Sequence, residues 1–184
     1  SVLAKAVASI PQNSEEAKKV RDDALKEIDS DETLTKEDKT NIKEYIRSKV
    51  STSHGTRSES KTADLDERNL LEDNTFYEYP VITIANTRYV IVGRIDRYYV
   101  EPDGTKVLVE IKNRMNCLFK KIRDYENIQV QAYLAMTGMA KAKLIEQYND
   151  ERMSHDISID GSWTEAFSTL KEFCRTLHHN MCEK

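Results

Sequence analysis

Asp96, Glu110 and Lys112 are the side chains of this sequence whose types and spacing suit a reaction. Gly93-Arg94-Ile95-Asp96 lies in an apolar, β-branched run, Tyr89–Val100, that reads as a strand. Glu110-Ile111-Lys112 ends a second such run, Lys106–Lys112. Between them, Glu101-Pro102-Asp103-Gly104-Thr105 has the composition of a tight turn, with Pro setting φ and Gly free for φ > 0. A hairpin is therefore expected, with Asp96 and Glu110 on neighbouring strands. Residues two apart on a strand share a face, so Glu110 and Lys112 point the same way. Two carboxylates and an ammonium at one point suit Mg²⁺-assisted attack on a phosphodiester, with Mn²⁺ as a substitute ion. Such a hard cation takes oxygen ligands and keeps several waters. It polarises a phosphoryl oxygen and lowers the pKa of a bound water. Lys112 can orient or deprotonate that water and stabilise charge on the phosphate.

The elements around these residues read as follows. Phe76–Ala85 is a strand that Pro80 marks as an edge or a bend. Asn86-Thr87 turns it into Tyr89–Val100, and with Lys106–Lys112 a three-stranded antiparallel meander is expected. Tyr125–Thr137 reads as a helix closed by Gly138, a good C′ residue. Gln129 and Tyr133 stand four apart and share one face of it. Ala142–Tyr148 and Met153–Ile159 are two further strands. Trp163–His179 is a closing helix with Phe167, Leu170, Phe173, Cys174 and Leu177 on its apolar side. Upstream, Ser14–Ile28 carries Ala17, Val20, Ala24 and Ile28 at helical spacing behind an Asn13 or Ser14 cap. Thr35-Lys-Glu-Asp38 is a start signal for a second helix through Ile42, Tyr45, Ile46 and Val50. Ser51–Ser58 reads as a loop rich in Ser, Thr and Gly. A further helix is expected within His54–Leu71, with Glu59, Ala63, Glu67 and Leu70 favouring one side.

Asp96…Glu110-Ile111-Lys112 resembles the signature of the PD-(D/E)XK nucleases, with Ile95 where that pattern has proline. Gln129…Tyr133 resembles the Gln-xxx-Tyr helix of the RecB-like branch. Tyr125–Gly138 is closer still to the lambda-exonuclease and YqaJ viral-recombinase group. His54-Gly55-Thr-Arg57-Ser-Glu59-Ser-Lys-Thr-Ala63 looks like the Gly-xxx-Glu-xxx-Ala helix that opens that group's core. The resemblance covers roughly residues 54–150. It implies an α/β fold with a restriction-endonuclease-like core, a central mixed β-sheet flanked by helices; the two helices upstream are expected to add an N-terminal helical hairpin. It implies a nuclease domain over residues 51–184, and the residues it does not cover, 1–50, are expected to be a helical appendage. It implies Asp96, Glu110, the Ile111 carbonyl and Glu59 as metal ligands, with Gln129 and Tyr133 beside substrate or water. The activity implied is a Mg²⁺-dependent DNA exonuclease of recombination or repair, viral or phage-like. A structure- or site-specific endonuclease of the same superfamily, or a non-catalytic nucleic-acid-binding module, are the alternatives.

Composition sets outer bounds. A chain of 184 residues, 33% charged and 39% apolar, suits one globular domain with a core, with or without an appendage. No run of ~18 apolar residues predicts a membrane span, and Ser1–Ile10 lacks the basic start of a signal peptide. Beginning at Ser, the chain reads as a processed or cloned fragment. Net charge is −4, so a nucleic-acid surface must be local rather than global. Arg114, Lys120, Lys121 and Arg123, just past Lys112, are candidate phosphate contacts, and Arg57 and Arg94 are counted with them. Phe119 or Tyr125 is a candidate stacking ring. Cys117, Cys174 and Cys182 form no CxxC pair and suggest a reducing, intracellular compartment. They fall one short of an iron–sulfur set. His178-His179 reads as a helix-end pair rather than a metal site. DNA is the expected partner, with a protein partner conceivable through the N-terminal helices.

Overall fold

The computed structural model describes residues 13–182. Over these residues the chain is α/β, with four helices and a mixed central sheet of five strands flanked by helices. In chain order the elements are α1 (Ser14–Ser30), α2 (Lys36–Asp64), β1 (Leu71–Glu72), β2 (Tyr77–Ile84), β3 (Thr87–Gly93), β4 (Arg97–Val100) and β5 (Lys106–Asn113). They continue with α3 (Asp124–Thr137), β6 (Lys141–Tyr148), β7 (Glu151–Ser158) and α4 (Ser162–Cys182). The five-stranded sheet runs β1-β4-β5-β6-β7, and β2-β3 form a separate two-stranded sheet. The chain divides into two compact units. Among the described residues, one comprises 13–67, Ile111–Lys120 and Ile145–Met153, and the other Arg68–Glu110, Lys121–Leu144 and 154–182. Strand β5 passes from one to the other between Glu110 and Ile111.

In the first unit, α1 and α2 pack as the expected hairpin. Asn13 caps α1 by accepting from the Glu15 N–H at 2.8 Å. Thr35 and Asp38 form a full capping box on α2. Ala17, Ala24, Ile28, Ile46 and Val50 are buried together with Met115. Two expectations are corrected here. Ser51–Ser58 is not a loop but the middle of α2, and the helix expected within His54–Leu71 is its continuation, ending at Asp64. The cause is one buried stripe, Ile46, Val50, His54, Ser58 and Thr62, that keeps helical spacing while turning polar. The expected division between residues 50 and 51 therefore falls inside a helix.

In the second unit, Ile95, Leu108, Val130, Leu134, Ala142, Leu144 and Ile157 make one core between sheet and α3. The turn before β5 is built as its composition requires. Gly104 sits at φ +85, its N–H donates to the Glu101 carbonyl at 2.9 Å, and Asp103 accepts from the Thr105 N–H at 2.8 Å. Gly138 ends α3 at φ +71, the left-handed cap that suits glycine. Pro80 coincides with a register shift in the β2–β3 ladder between Pro80 and Ile82.

The three-stranded meander is also corrected. Tyr89–Val100 is not one strand but two, β3 and β4, belonging to different sheets. The chain breaks at Arg94–Asp96, where Ile95 drops into the core at 2% exposure. Alternation along the run gives no warning, because the exchange of sheets is decided by what packs beneath Ile95. On α4, Trp163 and Phe167 pack edge-on against Tyr79 and Cys174 is buried. Phe173 and Leu177, expected on the buried side, stand exposed.

Candidate active site

The second unit joins three expected site residues in one hydrogen-bonded chain. Gln129 Nε2 donates to Glu110 Oε1 at 3.0 Å and to the Tyr133 hydroxyl at 3.2 Å. Gln129 and Tyr133 lie one turn apart on α3. That face meets β5 because Val130 and Leu134 of the same helix are held in the core with Leu108. The start of α3 is fixed by Glu126, itself buried, which accepts from the Arg123 N–H at 3.2 Å. Glu110 is 3% exposed. A carboxylate so deep requires hydrogen bonds or a cation to hold its charge.

Asp96 lies just before the end of the β4–β5 ladder. Arg97 pairs with Val109 across β4 and β5. Asp96 immediately precedes Arg97, in the bend before β4, and Glu110 immediately follows Val109 on β5, so both acids adjoin the last pair of that ladder. Arg97 braces the corner: its Nη1 donates to the Asp96 carbonyl at 2.6 Å, and its Nη2 pairs with Glu72 at 3.1 Å.

Gly93 fixes the approach of α3. A Cβ there would meet Tyr133 Cε1 at 2.9 Å and Met136 Sδ at 3.2 Å. Only a residue without a side chain lets the ring sit so close to β3. Neither Gly93 nor Arg97 is singled out as a positioning residue by sequence. The one signal available was their place on either side of Ile95-Asp96.

The remaining expected residues lie in the first unit or on exposed loops. Ile111 is buried on β5. Lys112, half-buried, stands two residues after Glu110 and shares its strand face. Glu59 is half-buried on α2 and Arg57 is exposed there. Asn113 ends β5, accepting from the Thr62 hydroxyl at 2.6 Å and donating to the Gly55 carbonyl at 3.2 Å. Arg94, Lys120, Lys121 and Arg123 are exposed.

Arg114 differs from these. Its Nε pairs with the fully buried Glu146 at 3.1 Å, and its guanidinium lies 3.9 Å from the centre of the Phe119 ring. The Phe119 N–H donates to the same Glu146 oxygen at 2.7 Å. This pair of residues, expected at a phosphate and a base, instead ties the segment after β5 to β6.

Among the described residues, no group of three or more His, Cys, Asp or Glu side chains is placed to hold a metal ion. Mg²⁺ asks for less, since it is commonly held by one or two carboxylates and retains waters. Asp96, half-buried, and Glu110, buried, are two carboxylates next to the end of one ladder. His178 is engaged elsewhere, its Nδ1 2.9 Å from the Tyr89 hydroxyl. No helix among the described residues is long and apolar enough to cross a membrane.

No family model matches the chain, and no curated protein matches it. A solved structure titled "Crystal structure of SSO0001" is similar in fold, with a TM-score of 0.52 at 20% identity, over 73% of this chain and 67% of that one. At that identity the likeness concerns architecture alone.

Proposed function

We propose that the protein is a Mg²⁺-dependent deoxyribonuclease of the PD-(D/E)XK type, working on DNA ends as an exonuclease in recombination or repair. The observation that carries this reading is the hydrogen bond from Gln129 to Glu110. It links the glutamine of one motif to the glutamate of another, 19 residues earlier in the chain. Asp96 and Glu110 are the residues that would hold the cation, with the carbonyl of Ile111, the next residue of β5, as a further donor. A bound ion would supply Lewis acidity at the phosphoryl oxygen and a more acidic water. Gln129 holds the Glu110 carboxylate in one orientation, as partners of metal ligands commonly do. Its amide is also shared with Tyr133, which presents the tyrosine hydroxyl beside the same carboxylate. Lys112, on the strand face of Glu110, positions or deprotonates the attacking water.

The test is cleavage of linear duplex, linear single-stranded and closed circular DNA, with and without Mg²⁺. The reading expects Mg²⁺-dependent loss of linear DNA with circles spared. Cutting of circles would move the assignment to an endonuclease of the same chemistry. No cleavage of any DNA with Mg²⁺ or Mn²⁺ would remove it.

A further inference from the structure

We infer that Phe76 is a base-stacking platform and that Arg94 beside it takes the adjoining phosphate, so the substrate beside the cleavage site is an unpaired strand. This rests on the proposed nuclease reading and adds the form of nucleic acid it takes. Phe76 is 72% exposed. The Arg94 guanidinium lies over its ring, 6.0 Å from the centroid. Both belong to the second unit. Tyr77 pairs with Gly93 where β2 and β3 end, and Phe76 and Arg94 lie one residue beyond that last pair.

The location gives the pair its meaning. Arg94 is two residues before Asp96, a span of at most about 7 Å of chain. A base resting on Phe76 would thus belong to a nucleotide close to the phosphate held at Asp96 and Glu110. An exposed ring offers a face to any base, because every base has a π surface. An arginine next to that ring adds a charge that a phosphate can neutralise, and a guanidinium that can itself stack. A base within a duplex is already stacked on both faces. The ring therefore favours a strand end whose bases are unpaired.

The experiment is binding of a fluorescent single-stranded oligonucleotide in metal-free buffer, to wild type and Phe76→Ala, using an intact strand and a set with one abasic site moved along it. Stacking of one base predicts about a tenfold weaker Kd for the alanine variant. It predicts a similar loss for wild type at one or two abasic positions, and no further loss when variant and abasic site are combined. Phe76→Trp should restore binding, and an unchanged thermal melt would confirm that the exposed ring does not support the fold. Equal Kd values for wild type and Phe76→Ala overturn the inference, as do additive losses. DNA cleavage with no dependence of binding on Phe76 leaves the nuclease reading standing and removes this one. Base-dependent binding without cleavage does the reverse, and no binding at all removes both.

Discussion

Gln129 reaches from α3 to Glu110 on β5 with a 3.0 Å hydrogen bond, and the same amide nitrogen reaches Tyr133 at 3.2 Å. One side chain thereby sets both the orientation of a buried carboxylate and the position of a hydroxyl. Gln129→Ala should leave the fold intact, since Gln129 is only half-buried. It should lower Mg²⁺-dependent cleavage about 10–100-fold and raise the Mg²⁺ concentration needed for half-maximal rate. A Mg²⁺ titration of initial rates checks both. An unchanged Mg²⁺ dependence would show that the hydrogen bond does not serve a metal ligand.

Gly93 tests the packing beneath that arrangement. In Gly93→Ala the new methyl must displace the Tyr133 ring from a 2.9 Å approach. Overpacking of this kind costs about 1–3 kcal/mol. Denaturant unfolding should show that loss, and cleavage should fall because Tyr133 moves relative to Gln129. A variant of wild-type stability and rate would mean that the approach is looser than described.

Arg114 is predicted to matter for stability rather than for DNA. Glu146→Ala leaves the Arg114 guanidinium and the Phe119 N–H without their carboxylate. Removing one partner of a buried pair costs about 3–5 kcal/mol, which urea unfolding would reveal. The salt dependence of DNA binding should be unchanged in a folded Arg114→Met variant, whereas Lys121→Ala should reduce its slope.

Acid should weaken the second unit through three aspartates. Asp160 is held below the ordinary carboxylate range by hydrogen bonds, first from the Ser162 hydroxyl and then from Asn127. Asp156 is lowered by its bond to Lys143, and Asp73 by the Thr75 and Tyr77 hydroxyls. Each has a folded pKa below its unfolded one. The stabilisation is therefore complete above the unfolded value of about 3.9 and is lost as pH falls through the lower folded value. Melting temperature against pH should decline below about pH 4, and Asp160→Asn should flatten that decline. An unaltered slope would contradict the assignment of Asp160 to it.

Much of this architecture follows from local chemistry that a sequence displays openly. The Thr35–Asp38 box, the Glu101–Thr105 turn, the bend at Pro80 and the Gly138 cap each rest on residues next to one another. The same holds for the spacing that puts Gln129 and Tyr133 on one face. What escaped depended on distant neighbours. The buried side of α2 becomes His54, Ser58 and Thr62, polar residues that alternation cannot distinguish from a solvated face. Ile95 ends one strand by entering a core assembled from α3, β5, β6 and β7. Arg114 reads as a phosphate contact until Glu146, 32 residues later, is seen to hold it. Phe173 looks like core on a helical wheel, yet it stands 61% exposed because α4 packs through Trp163, Phe167 and Cys174 instead.

End-labelled linear DNA tests most directly whether Asp96, Glu110 and Lys112 act together on a phosphodiester. Wild type, Asp96→Asn and Lys112→Ala would be compared in Mg²⁺ and in EDTA, with circular dichroism confirming that each is folded. The account predicts cleavage by wild type only with the cation, and a loss of at least about a thousandfold in each folded variant. Cleavage that persists in EDTA, or a folded Lys112→Ala variant that cuts at the wild-type rate, would contradict it.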